Sequence, residues 1–478
     1  MSDLRDNAPL LDAYLAYFEA ARTPFTIPGH KQRASRIDSG LGQVVDGDTP
    51  LYGGLDEIKL TNQTLKGAEH LAAELWGADY ARFSTGGSTH ANQALVLALG
   101  APGDKVAISR TAHRSILSAI VLAGLEPIWM SPEIDSATGV PIGIALSEVE
   151  RALESDPIAL LLTEPGYLGT ISDLPKLISA AHKKSVPVIL DAAWGGHFGF
   201  HPELPRHALQ LGADALITSV HKALPGYSAS ALLLARGAFL NLDRIEQSFE
   251  TTHTTSPAGA PLASIDGVRE LLQSRGEELL EQLLRNVKYF KERVQSEFAL
   301  PIFLYPSDFP EGRFDPTKVV LRIQQLGSSG VDIERDLQEV GIRVEMADRD
   351  TIVFLATLAD SREEFERLAD ALIPILKRRQ EQRRDSATAL SWSVVPQRGI
   401  SMRDAYFAKT EMVNATEAEG RISADLIAPY PPGVAVVAPG EILTSTILEG
   451  LKSSKDAGVR IAYATDSTLS RYRVVVKD

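Results

Sequence analysis

An alternation of short apolar runs with helix-like segments, between about residues 70 and 240, most constrains the fold. The apolar runs cover 80–84, 104–109, 126–130, 157–165, 186–194 and 214–222. Helix-like stretches at 88–100, 111–124 and 174–185 separate several of them. This pattern is typical of buried strands in a mostly parallel sheet that helices cover on both faces. Because such sheets bind ligands beyond the carboxyl ends of their strands, we predict an α/β fold with a site at that edge.

Three segments with anion-binding or reactive side chains come directly after apolar runs. The turn Gly86-Gly87-Ser88-Thr89 follows the first run, Asp191 follows the apolar residues of "VPVIL", and Lys222 ends "SVHK". All three therefore fall at the predicted ligand-binding edge.

Each of these features has a structural and a functional interpretation. Ser88 either caps a helix or helps to form a cup of N–H groups and hydroxyls for one phosphate. Asp191 either caps a turn or pairs with a protonated ring nitrogen, and His113 is either a surface residue or stacks on that ring. Lys222 either points into water or forms a Schiff base with a carbonyl cofactor. The phosphate cup, aspartate and lysine together match a pyridoxal 5′-phosphate site, which favours the functional interpretation.

Composition and length exclude several kinds of site and of protein. A chain of 478 residues predicts about three domains. It contains no cysteine, which excludes disulfides, zinc–thiolate sites, iron–sulfur clusters and thiol nucleophiles. A net charge of −14 argues against a nucleic-acid surface. We recognise neither a signal peptide nor a membrane span, so we expect a cytoplasmic protein.

Seven segments resemble the bacterial Orn/Lys/Arg decarboxylases, in the short form without an N-terminal wing domain. They are FTIPGHK (25–31), STGGSTHANQ (84–93), SRTAHRS (109–115), LDAAWGGH (190–197), SVHK (219–222), HTTSPAG (253–259) and PYPPGVAVVAPGE (429–441). The resemblance covers nearly the whole chain and implies the aspartate-aminotransferase-like fold, called fold type I. It implies an N-terminal segment (1–68) with dimer and active-site contacts, a large cofactor-binding domain (69–298), a small α+β domain (299–385) and a C-terminal domain (386–478).

The resemblance also implies roles for the candidate cofactor residues. Lys222 would hold pyridoxal 5′-phosphate covalently, Asp191 would pair with its ring nitrogen, and His113 would stack on its ring. His221 would contact the phosphate and act near the reacting carbon. Further cofactor contacts would come from Gly87, Ser88, Thr89, Trp194 and Ser219.

Four residues are implied to contact the substrate. Glu441 is the candidate for its distal cation, Thr254 and Thr255 would reach the neighbouring subunit's site in a homo-oligomer that is at least a dimer, and His30 lies in the N-terminal signature. Residues 49–79, together with Gly86, His90 and Gln93, depart from the family's usual sequence.

The implied reaction is α-decarboxylation of arginine or lysine, and less readily of ornithine, in polyamine metabolism. One alternative is another fold-type-I enzyme, an aminotransferase or β-eliminating lyase. A second alternative is a catalytically idle binding protein that has kept the fold.

Overall fold

The computed structural model describes residues 7–19, 33–37, 39–45, 47–49, 63–135, 140–383, 396–430, 434–456 and 459–477. The α-helices in these ranges are α1 Pro9–Glu19, α2 Ser39–Val45, α3 Thr64–Trp76, α4 Gly87–Leu99, α5 Arg114–Ala123, α6 Leu146–Leu153, α7 Leu174–His182, α8 Leu242–Thr252, α9 Gly259–Gln295, α10 Gly330–Glu339, α11 Arg362–Arg378, α12 Met402–Phe407 and α13 Ser445–Asp456. The strands are β1 Tyr80–Ser84, β2 Lys105–Ser109, β3 Glu126–Met130, β4 Pro132–Ile134, β5 Pro141–Ile144, β6 Leu160–Thr163, β7 Val188–Asp191, β8 Ala215–Ser219, β9 Ala231–Ala235, β10 Val319–Arg322, β11 Met346–Ala347, β12 Thr351–Phe354, β13 Thr410–Asn414, β14 Ala428–Tyr430, β15 Arg460–Ala462 and β16 Arg471–Val475.

The central sheet has seven strands in the order β1-β9-β8-β7-β6-β2-β3. Strand β9 runs antiparallel to both of its neighbours, whereas the other adjacent pairs are parallel. Strands β1, β7 and β8 therefore point the same way, and their last residues Ser84, Asp191 and Ser219 lie at the same edge. This arrangement confirms the predicted α/β fold with a mostly parallel sheet.

The sheet is buried on both faces because successive side chains of a strand point in opposite directions. In β7, Val188 and Leu190 enter a core formed with α3, α7 and α9, whereas Ile189 enters a second core formed with α4, α5 and α8. Strand β6 follows the same rule, since Leu161 and its two neighbours point into different cores. This double burial explains why these strands appear in the sequence as continuous apolar runs.

Helix α9 connects two packed units, here called the large domain, around the central sheet, and the small domain, around the sheet β10-β12-β11. It is one continuous helix of 37 residues, about 55 Å long at the usual helical rise. Its first half contributes Leu262 and Leu272 to a core of the central sheet, and its second half contributes Leu280 and Phe290 to a separate core. That core also includes the antiparallel sheet β10-β12-β11 with α10 and α11, so α9 links two packed units.

The C-terminal residues form a further core and also reach the large domain. Val413, Val437 and Tyr472 pack together around the antiparallel pair β13–β16. Met402 and Ala435 instead enter a core of the central sheet.

Among the described helices, none combines the length and apolar character that a membrane span requires.

Candidate active site

The predicted phosphate cup lies between the end of β1 and the start of α4. Gly87 adopts a φ of 70°, a left-handed conformation that strains residues with a side chain. The turn places the Ser88 hydroxyl 2.8 Å from the hydroxyl of Ser219, at the end of β8. Thr89 is exposed beside them on the first turn of α4. The free N–H groups of a helix N-terminus and these hydroxyls together form a suitable environment for one phosphate.

Asp191 is buried at the end of β7, and the side-chain amide of Asn92 holds it in place. Asn92 Nδ2 donates a hydrogen bond of 2.9 Å to Asp191 Oδ2 and another of 2.9 Å to the Ser115 hydroxyl. The Ser115 hydroxyl lies 2.8 Å from Nδ1 of His113. This hydrogen-bonded chain, the Asn92 network, connects the aspartate to the histidine through residues of α4 and α5. Asn92 and Ser115 were not predicted as site residues.

His113 has its ring exposed while its Nδ1 is engaged in hydrogen bonds. As the N-cap of α5 it accepts a bond of 3.2 Å from the backbone N–H of Ser115 at Nδ1. Desolvation lowers the pKa of His113, an effect that Asp191 opposes and Lys222 reinforces. The lowered pKa favours the neutral form of the ring, and the exposed residue is suited to stacking on an aromatic cofactor.

Lys222 is half-buried and follows β8. Burial lowers the pKa of its ammonium group, while the carboxylates of Asp191 and Glu345 oppose that shift. A lowered pKa increases the fraction of neutral amine, the nucleophilic form that attacks a carbonyl. The neighbouring His221 holds its Nδ1 2.9 Å from the Ser230 carbonyl oxygen. Since that oxygen only accepts, Nδ1 carries the hydrogen and Nε2 is left to exchange a proton.

Aromatic side chains line the approach to Lys222. The Lys222 Nζ lies 4.5 Å from the centre of the Trp194 ring, and Tyr167 packs edge-on against that ring at 5.2 Å. The Nζ of Lys318, from the small domain, lies 4.2 Å from the same ring. Burial lowers the pKa of Lys318 to about 8. Tyr167, Lys318 and Glu345 were missed in the sequence because they lie outside the recognised motifs.

These residues fit the cofactor that the motifs imply. Pyridoxal 5′-phosphate needs a phosphate site, an acidic partner for its ring nitrogen, a surface for ring stacking and a lysine for its aldehyde. The structure provides a serine pair at a helix N-terminus, buried Asp191, exposed His113 and partly desolvated Lys222, all at one sheet edge.

Glu441, the candidate partner of the substrate's distal cation, forms an ion pair inside the protein. It is buried, and its two oxygens accept bonds of 2.6 and 3.0 Å from the guanidinium of Arg110, which is buried as well. It also accepts the backbone N–H of Ala438 at 2.7 Å. Arg110 prefers a planar, bidentate carboxylate, so the pair is well matched in geometry. The structure therefore gives Glu441 a structural partner in Arg110, and its predicted role at the substrate's distal cation stays a prediction.

Replacing Glu441 by glutamine is therefore expected to destabilise the protein rather than to raise KM selectively. Removing one partner leaves the Arg110 charge buried and uncompensated, which costs about 3–5 kcal/mol. Urea unfolding of the wild type and the variant measures this loss. The control is Glu411→Gln, which breaks the more exposed ion pair with Arg421 and should cost about 1 kcal/mol or less. Equal stability of Glu441→Gln and wild type would contradict the structural role.

The remaining predicted substrate residues are Thr254, Thr255 and His30. Thr254 and Thr255 are exposed after the end of α8, where Thr254 Oγ1 accepts the backbone N–H of Ser256 at 3.2 Å. Their predicted role in a neighbouring subunit stays a prediction. His30 and the segment 25–31 lie outside the described residues.

Known proteins are similar to this chain over most of its length. Residues 8–307 match the Orn/Lys/Arg decarboxylase major domain, and residues 388–461 match the C-terminal domain of the same family. The chain is 36% identical to the arginine decarboxylase of Bacillus subtilis (strain 168) over 472 residues, covering 95% of this chain and 96% of the relative. It is 33% identical to the arginine decarboxylase of Bacillus anthracis over 485 residues, covering 98% and 97%.

Solved structures show the same fold. The lysine decarboxylase LdcF of Francisella novicida superposes with a TM-score of 0.83 at 19% identity, covering 100% of this chain and 82% of that one. The motifs, the fold and both domain matches lead to one conclusion: this chain is an enzyme of the Orn/Lys/Arg decarboxylase family.

Proposed function

We propose that this enzyme removes the α-carboxylate of arginine with the help of pyridoxal 5′-phosphate held at Lys222. The observation that carries the proposal is the grouping of three residues: Asp191 ends β7, Lys222 follows the adjacent strand β8, and the Asn92 network connects Asp191 to His113. The sequence motifs leave arginine and lysine level, and the two relatives compared above, both arginine decarboxylases, favour arginine. The amine product would place the enzyme in polyamine metabolism.

Asp191 and the Asn92 network supply electrostatic support. When bound, pyridoxal 5′-phosphate provides a conjugated ring that accepts the electron pair released as the C–CO₂ bond breaks. The buried Asp191 carboxylate keeps a proton on the ring nitrogen, which makes the ring a better electron acceptor. Asn92 donates to one Asp191 oxygen and thereby orients the carboxylate before the reaction begins.

Lys222 and His221 are the candidates for donating the proton that replaces the carboxylate on the α-carbon. Burial favours the neutral amine of Lys222. In His221, Nδ1 donates its hydrogen to the Ser230 carbonyl oxygen, so Nε2 is the nitrogen that remains for proton transfer. Either residue can donate a proton to the α-carbon when it is in its protonated form. Trp194 and Tyr167 cover part of this region and limit the access of water.

A carbon dioxide release assay with arginine, lysine and ornithine tests the proposal. We expect the highest kcat/KM for arginine, with release that depends on added pyridoxal 5′-phosphate. Amine transfer that requires pyruvate or 2-oxoglutarate, without carbon dioxide release, would support an aminotransferase instead. Cofactor binding without turnover of any basic amino acid would support a catalytically idle protein.

We also propose a cytoplasmic homodimer whose sites include Thr254 and Thr255 of the partner chain. Mixing Lys222→Ala subunits with subunits altered at both threonines should restore activity, since each mixed dimer contains one intact site. Random assortment predicts recovery of up to about one quarter of the wild-type activity. Activity that stays at the level of the separate variants after subunit exchange would contradict shared sites.

A further inference from the structure

A buried histidine, His90, lies on the first turn of α4, directly after the phosphate cup Gly86–Thr89. The residue is 7% exposed. No motif gives it a role, because position 90 departs from the family's usual sequence. A buried imidazole without hydrogen-bond partners is costly, so the partners of His90 indicate what the residue does.

Both ring nitrogens of His90 are hydrogen-bonded, each to a different element. Nδ1 lies 2.8 Å from the hydroxyl of Ser84, which ends β1, and Nε2 lies 3.0 Å from the hydroxyl of Thr252, which ends α8. The Thr252 hydroxyl donates its hydrogen to the Ser248 carbonyl oxygen at 2.9 Å, so it accepts from Nε2. Nδ1 therefore accepts the hydroxyl of Ser84, whose oxygen accepts the backbone N–H of Gly86 at 3.2 Å. A directed chain of hydrogen bonds thus connects the phosphate cup to the end of α8.

The His90 ring also packs against residues of α8. Its centre lies 4.7 Å from that of the Phe249 ring, edge-on, and 4.9 Å from that of His253, the C-cap of α8. His253 adds a second connection, since its Nε2 lies 3.3 Å from the hydroxyl of Thr85, directly before the cup. Desolvation, reinforced by the neighbouring His253, lowers the pKa of His90 to about 4. The ring is therefore neutral near pH 7 and contributes shape and direction to the site, but no charge.

The backbone bonds of the cup show which N–H groups it can offer to a phosphate. The N–H of Gly87 donates to a carbonyl oxygen outside the helix at 2.6 Å, and the N–H of His90 donates to the Gly86 carbonyl oxygen at 3.3 Å. Between them, Ser88 and Thr89 begin the helix, where N–H groups lack an intrahelical acceptor. These two N–H groups and the Ser88 hydroxyl are the donors for a phosphate. The turn is packed closely against the histidine, since a Cβ atom at Gly86 would lie 2.7 Å from the His90 Cβ.

We propose that His90 is a positioning residue for the cofactor phosphate: it ties the cup to the end of α8 and thereby keeps the donors of the cup directed at one point. Hydrogen bonds weaken steeply when the donor turns away from the acceptor, so a cup with a loose turn binds a phosphate poorly. Because the ring is neutral, its removal changes the geometry of the cup and leaves its charge the same. The inference rests on the proposed function in one respect, the binding of pyridoxal 5′-phosphate at the cup.

A purely structural role of His90 predicts a different result. If the ring only fills space between α4 and α8, its loss should destabilise the fold and weaken the binding of every form of the cofactor alike. If the ring positions the cup, the loss of affinity should depend on the phosphate group. Pyridoxal, which has the same ring and aldehyde without the phosphate, separates the two roles.

The test is an absorbance titration of the full-length protein, freed of cofactor, with pyridoxal 5′-phosphate and with pyridoxal. In His90→Ala we expect the Kd of pyridoxal 5′-phosphate to rise about tenfold, the effect of losing one or two hydrogen bonds, while the Kd of pyridoxal stays close to the wild-type value. His90→Asn keeps an acceptor for the Ser84 hydroxyl and should recover part of the lost affinity. The matched control is His207→Ala, which removes a buried histidine that accepts the Gln210 N–H at 3.3 Å, next to the core on the other face of the central sheet. It should leave both Kd values unchanged.

Each outcome decides between these roles. An unchanged Kd of pyridoxal 5′-phosphate in His90→Ala overturns the proposal, and so does an equal rise for pyridoxal 5′-phosphate and pyridoxal. A wild type that binds pyridoxal 5′-phosphate but releases no carbon dioxide contradicts the proposed function and leaves the role of His90 standing, whereas a wild type that binds no cofactor contradicts both.

Thr252→Val takes the place of His90→Ala if that variant fails to fold. It removes the hydroxyl partner of Nε2 and keeps the branched shape of the side chain. The Kd of pyridoxal 5′-phosphate alone should rise, and equal Kd values for the variant and the wild type would overturn the proposal.

Discussion

Replacing Lys222 by alanine is expected to lower kcat for arginine by about 10⁴-fold or more, because the covalent attachment of the cofactor and one proton donor are lost together. The purified wild type should be yellow, and borohydride reduction should abolish its long-wavelength absorbance by fixing the cofactor to a lysine. Mass spectrometry of peptides from the reduced wild type should locate that modification on Lys222.

The matched control for this prediction is Lys184→Ala, an exposed lysine after α7. It should keep the wild-type colour, activity and modified peptide. A pyridoxyl group found on any lysine other than Lys222 in the reduced wild type would show that the central assignment is wrong. Loss of activity in both variants would instead point to general damage to the fold.

Replacing Asp191 by alanine is expected to lower kcat by about 10²–10³-fold, with part of the cofactor binding kept. The value corresponds to about 3–4 kcal/mol, the usual effect of removing one preorganised electrostatic partner. Asp191→Asn is the informative comparison, since it retains the shape of the side chain and removes the charge. If the negative charge carries the effect, both variants should be similarly slow in a steady-state carbon dioxide assay.

A different pattern would change the role of Asp191. Near-normal turnover of Asp191→Asn, with a slow Asp191→Ala, would mean that shape and hydrogen bonding matter more than charge. Near-normal turnover of both would remove Asp191 from the chemistry altogether. Absorbance titration with the cofactor separates these outcomes from a simple loss of binding.

Local patterns in the sequence predict the sheet well because a strand that is buried on both faces consists of consecutive apolar residues. The apolar runs 80–84 and 126–130 have the same bounds as β1 and β3. Asp191 and Lys222 were predicted as site residues for the same reason, since a polar residue that ends a buried run marks the ligand edge of the sheet.

Contacts between distant segments could not be predicted in this way. Arg110 and Glu441 are 331 positions apart, and Tyr167 and Glu345 are 178 apart. Neither pair lies within one helix or strand, so no periodicity connects its members. Asn92 was closer to discovery, because it lies in the phosphate-cup segment 84–93. In the sequence, Asn92 is a polar residue among the apolar residues of α4. Its burial is explained by the hydrogen bond to Asp191.

The ion pair between Arg110 and Glu441 has a consequence for the order in which the protein matures. Arg110 precedes His113 by three residues, so its partner helps to fix the loop that leads to α5. That partner is synthesised 331 residues later, and the segment before it also contributes Ala435 and Ala438 to a core of the central sheet. Domains generally fold as they leave the ribosome, from the N-terminus onward. Here Arg110 obtains its partners Glu441 and the Val436 carbonyl oxygen only after the C-terminal segment has been synthesised, so we expect the loop that leads to α5 to become fixed after the strands of the central sheet have formed.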